Sequence, residues 1–469
     1  MQPPPGATGS LIGPADAFDV PVFVRRSAPL SPSVRPRPNA VAGASRTWPT
    51  PSDVPPSGAY RVATTWRDVI DAAMSVGRDV TTWLTATPVL AWAEIVARRA
   101  PLSAYLGRTS RPAWGSTGFV VEPNVVYTDG TEATARTAFG YRMGMTMAEW
   151  ACRGLLGLGP TTHAESLTPV DAGPAWSTAS GLPDLVGRHP ATGDLTWLVE
   201  AKGSRRLGQP MLAKGVEQLC RQGLMVGPHM RVLCGTSLED RLFMTIDVEE
   251  VSGTPREDWS TADGLLSLAR SRMLLYLALR AMPTESLTVL PVGSGVAEQR
   301  GRRGGLGTVA LLEDDPATEE ARREARSRPG RRGVRQSDML TAQVPGTDLV
   351  IGMSRRLYGA CASLARVEAE LVSEVNVRQP PPRPDAGGNE IEDASQRRLH
   401  HLHVFERERR SSAAAETQQG YHRGAESEWD DLVGSEPRFS AEPVSGYLEA
   451  ATEDIYLAVD DRSITGVQR

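Results

Sequence analysis

The sequence predicts a mixed α/β protein, with a central mixed sheet flanked by helices, helical additions and disordered N- and C-terminal arms. Three observations predict it. Between residues 129 and 250, segments with helical spacing alternate with short β-rich runs, in the order helix, three strands, helix, strand, strand. One of these runs, Leu195 to Lys202, carries Thr196, Trp197 and Val199 and is bounded by Gly193 and Gly203, the punctuation of a strand. Thirteen of the 36 prolines fall in the first 56 residues among Ser, Ala and Gly, which leaves that arm little apolar surface to bury.

Taken in order, residues 1–57 read as a disordered Pro-rich arm and 58–128 as a helical N-terminal unit. In the latter, Val69, Ala72, Ala73 and Val76, then Trp83, Leu90 and Val96, recur at helical intervals, with Pro88 and Pro101 as breaks. The α/β core spans 129–250. Its long first helix runs from about Thr131 to Leu158, with an interruption expected near Gly140 and Gly144 and a stop at Gly157, Gly159 and Pro160. Strands follow at about Ala164 to Thr168, Leu182 to Val186 and Leu195 to Lys202. A helix opened by Pro210 carries Leu212, Val216, Leu219 and Cys220 on one stripe. Strands at about Arg231 to Cys234 and Leu242 to Val248 complete the core. Residues 251–297 read as a helix and strand extension: one helix capped by Ser260, its apolar face Leu266, Ala269, Met273 and Leu277, then a strand from Leu287 to Val292. An Arg/Gly-rich linker (298–338), a C-terminal helical segment (339–378, helix at Leu357 to Val375) and a mostly disordered tail (379–469) end the chain.

The whole-chain balance excludes some classes. A formal net charge of -5 is not that of a protein coating nucleic acid non-specifically, so any such contact has to be local. Cys152, Cys220, Cys234 and Cys361 lie far apart without CxxC spacing and read as reduced core residues. No run of eighteen apolar residues occurs, and the expected setting is cytoplasmic, with no membrane partner. His400, His401 and His403 lack a cysteine or a well-spaced acid for a zinc site. The glycines from Gly301 to Gly307 lack the Lys-Ser/Thr ending of a phosphate loop.

The chemistry concentrates in Gly181-Leu182-Pro183-Asp184-Leu185-Val186-Gly187, followed sixteen residues after Asp184 by Glu200-Ala201-Lys202. Strand alternation puts Glu200 and Lys202 on one face and Val199 and Ala201 on the other. A hairpin through Pro190 to Gly193 brings Asp184 beside them. Two carboxylates and an ammonium at one point suit Mg²⁺ or Mn²⁺, since a hard cation binds one or two carboxylates and keeps open positions for water and phosphate oxygens. Lysine occurs only at Lys202 and Lys214, against 49 arginines. A compact amine that can lose its proton is thus retained where arginine would stay charged and differently placed. With two lysines and 56 acids, chance supplies about 0.24 acid-x-Lys triplets in the chain, and an upstream Pro-Asp makes the coincidence rarer still.

This pattern resembles the PD-(D/E)xK nuclease superfamily, the restriction-endonuclease-like fold, whose common core is a helix, three strands, a helix and a strand. The resemblance covers about Thr131 to Val248 and implies Asp184, Glu200 and Lys202 as the catalytic set, with metal held by Asp184, Glu200 and the carbonyl of Ala201. Gln218 matches a Gln that many members place on the following helix. Glu149 matches a first-helix Glu, with Glu132 and Glu165 as weaker matches. An exposed helix residue is the ordinary reading of both Glu149 and Gln218. Arg205 and Arg206, just after the strand, are expected to meet phosphates. The function these residues imply is a metal-dependent nuclease acting on nucleic acid, DNA by family resemblance, endonuclease before exonuclease, in defence or repair. Dimerisation or a protein partner would run through the helical additions. The alternative is a catalytically inactive binding or scaffold protein of the same fold, its disordered arms recruiting partners.

Overall fold

A computed structural model describes residues 12–30, 46–49, 54–78, 80, 87–110, 117–158, 161–166, 182–188, 196–220, 228–239, 241–252, 261–290, 338–378, 409–424, 426–433, 447–451 and 454–460. The chain is mixed α/β, built on a seven-stranded mixed sheet flanked by helices and a five-stranded antiparallel sheet.

The large sheet takes β1 (Ala17–Arg26), β2 (Gly58–Thr65), β5 (Thr162–His163), β6 (Leu185–Arg188), β7 (Thr196–Ser204), β8 (His229–Ser237) and β9 (Phe243–Val251), in the spatial order β2-β1-β9-β8-β7-β6-β5. Strands β5, β6 and β7 form an antiparallel meander. Strand β8 lies parallel to β7, so a crossover must join them, and α5 (Gln209–Leu219) supplies it. The long helix α4 (Ala133–Gly154) covers the other face of β7.

Alternation along β7 decides which side chain meets which layer. Val199 and Ala201 join the core that includes Met143, Met147 and Ala151 of α4, whereas Leu198 packs with Leu212 and Leu219 of α5. The helices α1 (Trp66–Ser75), α2 (Pro88–Tyr105) and the single turn α3 (Val125–Thr128) surround α4, with a two-stranded ribbon of β3 (Leu106–Ser110) and β4 (Phe119–Pro123). The second sheet, β10 (Leu287–Leu290), β11 (Met339–Gln343), β12 (Leu349–Ser354), β13 (Tyr447–Ala451) and β14 (Ile455–Asp460), runs in the order β10-β11-β12-β14-β13. It packs with α6 (Thr261–Ser271), α7 (Met273–Ala281), α8 (Arg355–Arg378) and α9 (Glu426–Val433) around Tyr276, Tyr358 and Trp429. Among the described residues no helix is long and apolar enough to cross a membrane.

Several expectations are corrected. The arm expected to be disordered over 1–57 contains β1, an interior strand whose Phe18, Val20, Val22 and Val24 are fully buried. Pro21 is tolerated because β1 begins to pair with β9 only at Val22. The unit expected to be helical over 58–128 contains β2, β3 and β4, and Pro101 lies inside α2 instead of ending it. Helix α4 is continuous through Gly140 and Gly144. Strand β5 is two residues long, followed by a 3-10 turn over Ala164–Ser166 where a strand was expected. The single helix expected near Leu266 is two, α6 and α7, separated at Arg272. The helical segment 339–378 opens with β11 and β12. The tail expected to be disordered contains helical residues 409–423, α9, β13 and β14. Nearly all of the 298–338 linker, the His400 to His403 cluster and the Gly301 to Gly307 run lie outside the described residues.

Candidate functional site

Asp184 immediately precedes β6, and the antiparallel register that pairs Leu185 with Val199 places it across from Glu200. Its Oδ2 accepts the Ala201 N–H at 2.8 Å. Within the register β7 runs past the start of β6, so no β6 residue pairs with Ala201 on that edge. A strand residue's N–H and C=O point to the same edge, so the Ala201 carbonyl is also directed toward the Asp184 side.

Glu200 and Lys202 rise from the face of β7 that α5 covers. The helix lies close because Gly215 has no side chain: a Cβ there would sit 2.5 Å from Leu233 Cδ1 and 3.4 Å from both Glu200 Cγ and Lys202 Cε. Lys202 Nζ donates to Glu200 Oε1 and, at 2.8 Å, to Gln218 Oε1. The structure therefore brings Asp184, Glu200, Lys202, Gln218 and the Ala201 main chain together.

The electrostatics are those of a crowded acid pair. Glu200 is 0% exposed; its Oε2 makes no hydrogen bond of ordinary geometry among the described residues, although the Asp184 N–H lies near enough to favour the ionised carboxyl. Burial first, and the Asp184 charge second, push its carboxyl up to about 8, with Lys202 pulling the other way. Burial likewise raises Asp184, opposed by the Ala201 N–H, Lys202 and His163. The two carboxyls can hydrogen-bond to each other only by sharing a proton. A cation between them would do the same work.

Other expected members stand elsewhere. Glu149 is fully buried, not an exposed helix residue, and its carboxylate accepts from the Thr161 N–H and hydroxyl and lies 3.9 Å from Arg153. It is absent from the groups whose charges act on Asp184 or Glu200. Glu165 pairs with Arg78 at the surface, and Glu132 is the N-cap residue of α4. Arg206 pairs with Glu239 at 3.0 Å, whereas the exposed Arg205 lies near enough to the Tyr127 phenol to act on it. Among the described residues no three His, Cys, Asp or Glu side chains converge as a metal cage. The Asp184–Glu200 pair is the two-carboxylate kind that suits a largely hydrated hard cation.

Two neighbours escaped sequence reasoning. His163, on β5, accepts the Glu165 N–H at its Nδ1 (3.2 Å), and burial lowers its pKa against the pull of Glu165 and Asp184. Tyr141, on α4, has its phenol raised by burial and then by Asp184, Glu165 and Glu200. The one sequence signal for Tyr141 was Gly140 and Gly144 beside it, which mark close approach and not a helix break. A Cβ on Gly144 would meet Gly203 N at 2.7 Å, and one on Gly203 would meet Gly140 O at 2.0 Å, so three glycines let α4 lie against the strand end that carries Lys202.

Comparison with protein-family models, with curated proteins and with solved structures gave no match.

Proposed function

We propose that Asp184, Glu200, Lys202 and Gln218 form the active site of a metal-dependent nuclease of the PD-(D/E)xK type, hydrolysing phosphodiester bonds, most naturally in DNA. The observation that carries this reading is the pair itself: a fully buried Glu200 carboxyl set against Asp184, the two close enough for each charge to act on the other, with Lys202 alongside. Two carboxyls buried together disfavour each other's ionised form, and a bound divalent cation would offset both charges at once. The order of α4, β5, β6, β7, α5 and β8 agrees with the core that the resemblance implies.

Asp184, Glu200 and the Ala201 carbonyl would hold Mg²⁺ or Mn²⁺. When bound, such an ion acidifies a water and offsets charge on phosphoryl oxygens. Around it the chain's own groups divide the work. The Ala201 N–H fixes Asp184 in place. Lys202, anchored by Gln218, presents an ammonium beside the carboxylates, where it can orient the attacking water and meet a phosphate oxygen. Arg205, exposed in the loop after β7, would contact the substrate backbone.

Plasmid and oligonucleotide cleavage with Mg²⁺ or Mn²⁺, comparing wild type with Asp184→Ala and Lys202→Ala, tests the assignment. Loss of cleavage in both variants supports it; equal activity in all three proteins excludes this site. A wild-type chain that binds nucleic acid without cutting it would favour the alternative, a nuclease-fold binding protein.

A further inference from the structure

Resting on the nuclease reading above, we infer that Tyr141 is the nucleobase platform of the site, and that the substrate segment presented to Asp184 and Glu200 is unpaired. Tyr141 is 52% exposed, yet it stands on the helix most closely packed against the catalytic strand. It directly follows Gly140 and precedes Gly144 by three residues, and both glycines touch the backbone at Gly203. Its ring therefore leaves α4 beside the helix–strand crossing and not on a remote face. The charges that act on its hydroxyl are those of Asp184, Glu165 and Glu200, with Arg142 opposing. Among the described residues that hydroxyl makes no hydrogen bond.

The surroundings suit a strand of nucleic acid. From Ala133 to Gly154 helix α4 carries a single acid, Glu149, and that one is buried and engaged by Thr161. Arg136 and Arg142 lie on its N-terminal half, and Arg136 and Arg205 both act on Tyr127. A half-exposed aromatic with Arg142 acting on it from the same helix, beside the recess that holds Lys202, has the composition of a site that stacks a base next to a phosphate backbone. The carboxylates decide between paired and unpaired substrate. Glu200 is buried and Lys202 only 18% exposed, so the scissile phosphate has to enter a recess. A single strand can bend its backbone into a recess and turn a base onto the ring. A duplex keeps its bases stacked on each other and offers the tyrosine no free face.

The experiment is steady-state cleavage of matched single-stranded and duplex oligonucleotides by wild type, Tyr141→Ala and Tyr141→Phe. It is paired with fluorescence anisotropy of the single-stranded oligonucleotide on Asp184→Asn protein carrying each tyrosine substitution. The single strand is expected to show the lower KM. Tyr141→Ala should raise that KM, and weaken binding, by about 5- to 150-fold with little change in kcat, and Tyr141→Phe should behave as wild type. An unchanged KM and affinity in Tyr141→Ala, an equal loss in Tyr141→Phe, or a lower KM for duplex overturns the inference. Absence of cleavage by wild type overturns the nuclease reading instead, while the anisotropy series still reports on the tyrosine.

Discussion

Raising the pH from 6 to 8 is expected to tighten Mg²⁺ or Mn²⁺ binding by about fiftyfold, because the Glu200 carboxyl must lose its proton before it can act as a ligand. With that carboxyl held at about 8, about 1% is ionised at pH 6, about 9% at pH 7 and about half at pH 8. Titration calorimetry at the three pH values, in two buffers of different ionisation enthalpy, counts the protons: about 0.9 should leave per ion bound at pH 7. Glu200→Gln should bind weakly at every pH and release none from this position. The same carboxyl governs the metal-free protein. Since it titrates in the fold above its ordinary 4.5, the native state holds a proton that the unfolded chain has lost between about 4.5 and 8. Stability therefore falls as pH rises through that window, and Glu200→Gln flattens the profile. Binding that varies by less than about threefold from pH 6 to 8 with no proton release would refute the reasoning.

Three further outcomes follow from the packing. Lys202→Arg should lower kcat by about a hundredfold or more, because the longer planar cation displaces Gln218 and does not reproduce a compact ammonium; cleavage kinetics at saturating metal report it. Gly203→Ala places a Cβ 2.0 Å from the Gly140 carbonyl oxygen and 2.7 Å from Gly144 Cα, all backbone, so α4 must move; denaturant unfolding should show a loss at or above about 3 kcal/mol. Glu149→Ala removes the acceptor of the buried Thr161 N–H and should cost about 1–3 kcal/mol in the same assay, while kcat per folded molecule stays at the wild-type value. A kcat loss without a stability loss would return Glu149 to the site.

What local sequence decided is the part governed by neighbours along the chain. Strand alternation put Glu200 and Lys202 on one face, as observed beneath α5, and the helix–strand order across 129–250 anticipated the middle of the large sheet. Gly203, read as strand punctuation, is a contact point for α4, a role visible only once the helix is placed. Strand β1 shows the limit most clearly. Its alternation of Phe18, Val20, Val22 and Val24 is present in the sequence, but the prolines around it carry the opposite local signal. Its burial depends on β9, more than 200 residues away, which contributes the parallel partner and, through Asp247, an ion pair to Arg25. Strands β13 and β14 likewise sit in a charged tail and are ordered by β12, about a hundred residues earlier.

The site divides in the same way. Asp184, Glu200 and Lys202 could be named from spacing because a hairpin ties near neighbours together. Tertiary structure alone assigned Glu149 to a buried bond with Thr161, seated Gln218 on Lys202, and brought Tyr141 and His163 toward the carboxylates. The physical reason is that backbone periodicity sets which way a side chain points, whereas burial and electrostatic environment are set by elements that only the folded chain brings together.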